Sequence, residues 1–371
     1  MRPSPLPVSF AVLGVLWGAW QAVLPDLAGH YDLSSGPLGL ILTAGFAVSL
    51  PAMLLTGRLF DRMGAGWGIG LPAVTMAFGM LLVGTLPPLP LLVVAVILMT
   101  SGSGAYDVAI NGAAMGHPTW SRPARLTLLH AAFSGGGVLG AVGGGALIGA
   151  RLPFEAVYPV LAVSLVAAAL LAAAAPWTVA SSRESVPRAI ALSMLPLAGL
   201  AALAFLAEGS METWSAIYLR DELGAAAFVG ALGPAAFHAA MLAGRLVGAG
   251  VAGTFGAPTT LLVAGCMTVI GMAVALLVPV PAAAIPGMAL AALGASFVVP
   301  VVVSLAAGRA GAHAGRAASY VLTLGYAGFL VGPSLVGILG ELAGLRVALA
   351  VVPLAAAVIV LASRSRVAHG E

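Results

Sequence analysis

The chain has 371 residues, of which 61% are hydrophobic and 7% charged, with 49 glycines. A soluble globular domain carries about 25% charged residues, so this composition excludes one and points to a polytopic membrane protein. The formal charge of +3 comes from arginines scattered singly between apolar runs, so no basic patch forms and no nucleic-acid partner is expected.

Every basic residue is Arg, which together with abundant Ala, Gly, Val and Leu reads as coding bias rather than function. Cys266 is the single cysteine and falls in an apolar run, so neither a disulfide framework nor a thiolate metal site is expected. The chain has no G-x-x-x-x-G-K-[ST], H-E-x-x-H, C-x-x-C or G-x-S-x-G. ATP hydrolysis and the commonest intramembrane enzyme templates drop out with them, and the protein is not expected to be an enzyme or to hold a cofactor or metal.

A membrane-spanning helix needs about 20 apolar residues. Runs of that length between polar breaks number twelve, at 7–28, 36–58, 66–87, 90–112, 126–149, 154–176, 192–219, 226–249, 258–279, 282–306, 317–340 and 345–363. The first follows a basic residue as a signal peptide would, but it lacks a small-x-small cleavage site and is read as the first span. The longest internal break, 176–189, falls almost at the midpoint. The expected organisation is an all-α membrane protein of two pseudo-symmetric six-helix bundles, 1–176 and 191–371, joined by a cytoplasmic linker at 177–190. With both termini cytoplasmic, the inner side holds Arg2, Arg58, Arg62, Arg122, Arg125, Arg183, Arg188, Arg245, Arg309, Arg316, Arg364 and Arg366, and the outer side only Arg151, Arg220 and Arg346. That asymmetry sets the orientation. The halves also resemble each other: Gly57-Arg58-Leu59 recurs as Gly244-Arg245-Leu246, an offset of 187, and Gly136, Gly140, Gly145 recur as Gly328, Gly332, Gly337, an offset of 192.

Polar residues inside such spans carry the chemistry, because a charge near the bilayer centre costs about 2.5–3.5 kcal/mol even on the lenient insertion scale. In the fourth span Ser103, Asp107 and Asn111 share a helix face, and in the fifth Thr127, His130 and Ser134 make a second polar stripe. Asp107 and His130 both fall in the inner part of the membrane. Burial and pairing act in opposite directions on such a pair, which is how a proton carrier for neutral pH can be built; the plain alternative is a static pair joining two helices. Glu208 and Glu212 lie one turn apart in the seventh span, where two carboxylates resist ionising together, making Glu208 a rival proton carrier. Glu212 is placed a turn nearer the outside, where it can reach water. His238 on the eighth span has Arg245 two turns further in on its face. Asp26, after Pro25, is read as a surface or capping residue. Trp17 and Trp20 on the first span and Trp214 on the seventh offer aromatic faces suited to sugar rings or flat cations, with helix packing or an interfacial belt as the alternative. Asn111, His238 and Tyr326 complete the substrate-binding candidates.

The stretch GRLFDRMG, Gly57 to Gly64, resembles the loop signature G-x-L-x-D-R-x-G of the major facilitator superfamily, and it falls after the second span as it does there. The resemblance extends to twelve spans, a central linker and a six-plus-six repeat. It implies a conformational latch at Gly57, Asp61, Arg62 and Gly64, with Arg122 in the next inner loop. GAYDVAIN, LLHAAFSGGG and EGSMETWSAIYLRDELG are similar to stretches of the bacterial YbjJ-like transporters related to the fucose permease group, which implies Asp107 as a proton site. The drug-antiporter signature of the fifth helix is departed from, with Ala141 in place of its Pro, and the fourth helix has no Arg.

The expectation is therefore a monomeric secondary transporter in the bacterial cytoplasmic membrane, working by alternating access on a small-molecule substrate. Proton-coupled symport of a sugar-like solute is the first reading, drug/proton antiport the second, and a non-transporting receptor or scaffold the third. The ion gradient, rather than a cofactor, is the energy source.

Overall fold

The computed structural model describes residues 4–117, 119–120, 123–175, 188–365 and 368. Among these the chain is helical with no strand, as a spanning backbone requires: in hydrocarbon each N–H and C=O must find its partner within its own segment. Twelve helices are long and apolar enough to cross a bilayer. They are α1 Leu6–His30, α2 Ser35–Thr56, α3 Gly66–Gly84, α4 Leu89–Gly116, α5 Arg125–Gly149, α6 Phe154–Ala173, α7 Leu195–Glu222, α8 Ala227–Gly248, α9 Gly250–Leu277, α10 Pro281–Ala310, α11 Ala314–Ala343 and α12 Leu345–Ala362. Every third span opens with proline in its first turn, at Pro7, Pro90, Pro196 and Pro281, where the missing N–H costs nothing.

Several helices outrun the apolar stretches that announce them, because hydrogen bonding ends a helix whereas hydropathy marks only its lipid-matched part. One reading changes as a result. Asp26 is not at a helix end; α1 runs through Pro25 to His30, and Asp26 lies half-buried inside it.

The chain divides into two compact units, Met1–Ser182 with Ala226–Ala235, and Arg183–Ala225 with Ala236–Glu371. Of the expected linker 177–190, residues up to 187 lie outside the described ones, and Arg188–Ser193 forms a short helix ahead of α7.

Within the first unit α1 lies along α5 and α3 along α4 with backbones in contact. A Cβ at Gly136 or Gly140 would collide with the carbonyls of Ala11 and Val15, and one at Gly79 with Ala95 and Met99. Small residues are what allow that approach. The second unit repeats the arrangement: Gly328 on α11 meets the Ala202 carbonyl of α7, and Gly271 on α9 meets Gly287 and Ala291 on α10. Residues 136, 79, 95 and 99 thus correspond to 328, 271, 287 and 291, a constant spacing of 192. The turns after α2 and α8 obey it too. Gly64 and Gly256 have φ of +81° and +74° with extended ψ, a conformation open only to glycine.

The repeat is therefore one of backbone contacts at a spacing of 192, and the Gly-Arg-Leu match at 187 is out of register by five residues. Arg245 is not a second copy of Arg58. It stands at the register of Met53, inside the span rather than in the turn.

In the second unit, α7 packs against α10, α11 and α12 through a core that includes Leu197, Leu200, Ala204, Val298, Val302, Val321 and Ile359. One end of α7 is fastened by polar contacts. The Tyr218 hydroxyl donates to the Ala275 carbonyl at 3.0 Å, and Glu222 Oε1 accepts from the Leu345 N–H at 2.8 Å. Arg346 Nε donates to the Leu276 carbonyl at 2.6 Å, so α7, α9 and α12 are joined at this end.

Candidate functional site

Residues four or seven apart share a helix face, and this places two pairs of ionisable groups on α7 and α8. Glu208 is buried, with 5% exposure, and the Glu212 side chain one turn on is 17% exposed. His238, fully buried on α8, holds Nε2 at 3.8 Å from Glu212 Oε1. That is longer than a hydrogen bond, so the contact is one of charge and dipole. Arg245, seven residues along α8, lies within electrostatic range of both Glu208 and His238. Its half-buried position follows from the register found above, together with an arm long enough to carry the guanidinium along apolar surface. Two carboxylates, an imidazole and a guanidinium from two helices therefore form one cluster.

The same helix α7 stores further polar atoms. Ser210 Oγ, Trp214 Nε1 and Ser215 Oγ are buried with no hydrogen-bond partner among the described residues. Each such group costs about 1–3 kcal/mol when left unpaired. Trp214 is fully buried, whereas Tyr326 on α11 is half-exposed and stacks on Phe205 of α7 with centroids 5.1 Å apart. Phe329 closes the group, 5.1 Å from Phe205 and 6.0 Å from Tyr326.

In the first unit, Trp17 Nε1 donates to Ser103 Oγ at 3.0 Å, so the aromatic candidate of α1 meets the polar face of α4. Its ring stacks on Phe46 of α2, with centroids 6.0 Å apart and planes at 17°. Trp20 is buried and meets Tyr158 of α6 edge-on at 6.2 Å. Asp107 and Asn111 are both half-buried: Asn111 Nδ2 donates to Asp107 Oδ1 at 3.0 Å and to the Asp107 carbonyl at 2.9 Å. His130, also half-buried, points edge-on to Phe10 at 5.4 Å. In the turn after α2, Arg62 is exposed and Gly64 makes the bend. Gly57 and Asp61 beyond their backbone, and Arg122 altogether, lie outside the described residues.

Phe46 and Phe329 belong to these aromatic groups and carry no signal in the sequence, since an aromatic residue in an apolar helix lacks contrast with its neighbours. Among the described residues no three His, Cys, Asp or Glu side chains converge as metal ligands.

Residues 7–333 match the Major Facilitator Superfamily. The chain is 31% identical over 363 residues to an uncharacterised transporter, y4wD, of Sinorhizobium fredii, covering 94% of each chain. It is 32% identical over 360 residues to an uncharacterised transporter of Yersinia pestis, covering 94% of this chain and 91% of that one. Among solved structures, a bacterial homologue of the human lysosomal transporter Spinster, inward-facing and occupied, superposes with a TM-score of 0.80 at 16% identity, over 97% of this chain and 96% of that one. The fucose:proton symporter of E. coli does so with a TM-score of 0.62 at 19% identity, over 97% of each chain.

Proposed function

The chain belongs to the major facilitator superfamily, a family of transporters, and from that premise we propose that it is a proton-coupled symporter of a small polar solute with a sugar-like ring. It works by alternating access, as a monomer, in the bacterial cytoplasmic membrane with both termini on the cytoplasmic side. No cofactor takes part; the proton gradient supplies the energy.

The observation that carries this reading is the cluster of Glu208, Glu212, His238 and Arg245. Arg245 keeps its charge at any working pH. The two carboxylates can carry twice its charge, so with His238 neutral the cluster balances when it holds a single proton. Losing that proton leaves an uncompensated negative charge inside the membrane, which is expensive. The cluster is thus a device for one proton per turnover, with Glu208 as carrier and Arg245 as its counter-charge. Asp107 is the second candidate, its carboxylate held by Asn111. The stacked rings of Trp17 and Phe46, with Ser103 as a polar neighbour, offer a flat apolar surface for one side of a sugar ring.

The test begins with a thermal-shift screen of the purified protein against sugars, organic acids and amphipathic cations, since a ligand at about 100 times its dissociation constant adds about 2.7 kcal/mol to the native state. The stabilising compound is then used to drive proton uptake into vesicles. Glu208→Gln is expected to abolish proton uptake while leaving substrate counterflow. Full coupling in both Glu208→Gln and Asp107→Asn overturns the proposal, and a screen answered only by hydrophobic cations turns it toward efflux.

A further inference from the structure

The first unit has a groove of about 650 Å³ walled by α2 and α3 and floored by α4, with Ala52, Leu55, Leu71, Thr75 and Ala105 along it and Arg62 at its end. Apart from Arg62 the polar groups of the lining are few: the Thr56 and Thr75 hydroxyls are spent on carbonyls of their own helices, and Ser101 Oγ is buried on the α4 floor with no hydrogen-bond partner among the described residues. Leu55 and Leu71 stand exposed at its walls, and Leu54 and Val74 are exposed beside them. All of them belong to spans, where the surrounding medium is lipid.

Two observations say what fits there. From Gly66, where α3 begins, to Thr75 the chain advances nine residues, about 14 Å at helical rise, close to half of a hydrocarbon core about 30 Å thick. The groove therefore runs one leaflet deep, with Arg62, the one cation among its described lining residues, where the phosphates of that leaflet lie. The second unit, built on the same backbone repeat, is closed at this register, and its own smaller opening, about 250 Å³, lies further along α10 beside Ala252, Ala257, Leu305 and Arg309. At the register of Ala105 it has Phe297, buried with its ring against Gly248, which stands at the register of Thr56. At the register of Arg62 it has Thr254. The two units thus place an opening and an arginine differently: the groove of the first reaches along the span walls to Thr75, and the smaller opening of the second stays beside its turn.

We propose that this groove holds one acyl chain of an anionic phospholipid whose phosphate is taken by Arg62. The occupant comes from the leaflet in which the turn between α2 and α3 lies. Binding there joins α2 to α3 across the Gly64 bend, so the lipid acts on the segment that carries the loop motif.

The experiment uses the full chain in phosphatidylcholine vesicles containing phosphatidylglycerol with a diazirine on one acyl chain, followed by photolysis and peptide mapping. Adducts are expected on segments 52–75 and 101–105, displaced by unlabelled phosphatidylglycerol and not by added phosphatidylcholine. Arg62→Gln should lower their yield about fivefold, as expected for the roughly 1 kcal/mol that one arginine contributes at an anionic surface, and Arg62→Lys should keep most of it. Ala105→Phe, which copies the second unit, should reduce it at least tenfold. Adducts confined to other spans, equal displacement by the two lipids, or wild-type yield in both Arg62→Gln and Ala105→Phe would overturn the assignment.

Discussion

Neutralising Glu208 and Arg245 separately and together tests the charge cluster without needing the substrate. Glu208 is 5% exposed and Arg245 half-buried. Breaking a fully buried pair from one side costs about 3–5 kcal/mol, because the remaining charge is stranded. On the one-proton account the proton sits on Glu208 and the ionised groups are Glu212 and Arg245, so Glu208→Gln replaces a neutral acid by an amide of the same shape and should cost at most about 1 kcal/mol. Arg245→Gln leaves the Glu212 carboxylate without its counter-charge; that side chain keeps partial contact with its surroundings at 17% exposure, so the loss belongs at the low end of the range, at about 3 kcal/mol. The double variant leaves Glu212 in the same position, and its loss should equal the sum of the two to within about 0.5 kcal/mol. Thermal unfolding of the detergent-purified variants reads this directly, at about 2–4 °C per kcal/mol for a unit of this size. A Glu208→Gln loss as large as that of Arg245→Gln means that Glu208 is ionised in the resting protein, and the one-proton account of the cluster goes with it.

Gly136→Ala forces α5 away from the Ala11 carbonyl of α1 and should cost about 1–3 kcal/mol; Gly143→Ala on the same helix meets nothing and should be neutral or stabilising by up to about 1 kcal/mol in the same melts. Gly328→Ala should behave as Gly136→Ala does, and a neutral result at both would refute the backbone contacts. Ser103→Ala removes the acceptor of the Trp17 indole and should cost about 1–3 kcal/mol, whereas Trp17→Phe leaves the stack on Phe46 and should retain most ligand stabilisation in the thermal-shift assay. Gly64→Ala and Gly256→Ala should each lower the melting midpoint by the equivalent of about 1–3 kcal/mol, because neither φ suits a residue with a Cβ.

The twelve spans were legible because membrane helices are announced by the strongest contrast a sequence can hold, long apolar runs against short polar breaks. The turn after α2 was legible as well, since a glycine forced to positive φ leaves its mark at Gly64. The duplication could be seen but not registered. Two glycine patterns offered offsets of 187 and 192, and residue identity alone cannot choose between them when glycine is this frequent. Backbone contacts chose 192, and with that choice Arg245 ceased to be the counterpart of Arg58.

What the sequence determined by itself is the medium and the architecture: a chain 61% hydrophobic and 7% charged, divided into twelve spans, has to live in a bilayer as helices. It also named the residues too costly to bury without purpose, Asp107, His130, Glu208, Glu212 and His238 among them. Which of these lie together was decided only by the tertiary structure. Glu212 and His238 are 26 positions apart, and Trp17 and Ser103 are 86 apart. Their meeting depends on how far one helix slides along another, and that is set by where glycines let backbones touch. Phe46 and Phe297 make the same point from the apolar side. In a span where almost every residue is hydrophobic, only packing separates a stacking platform from a plug.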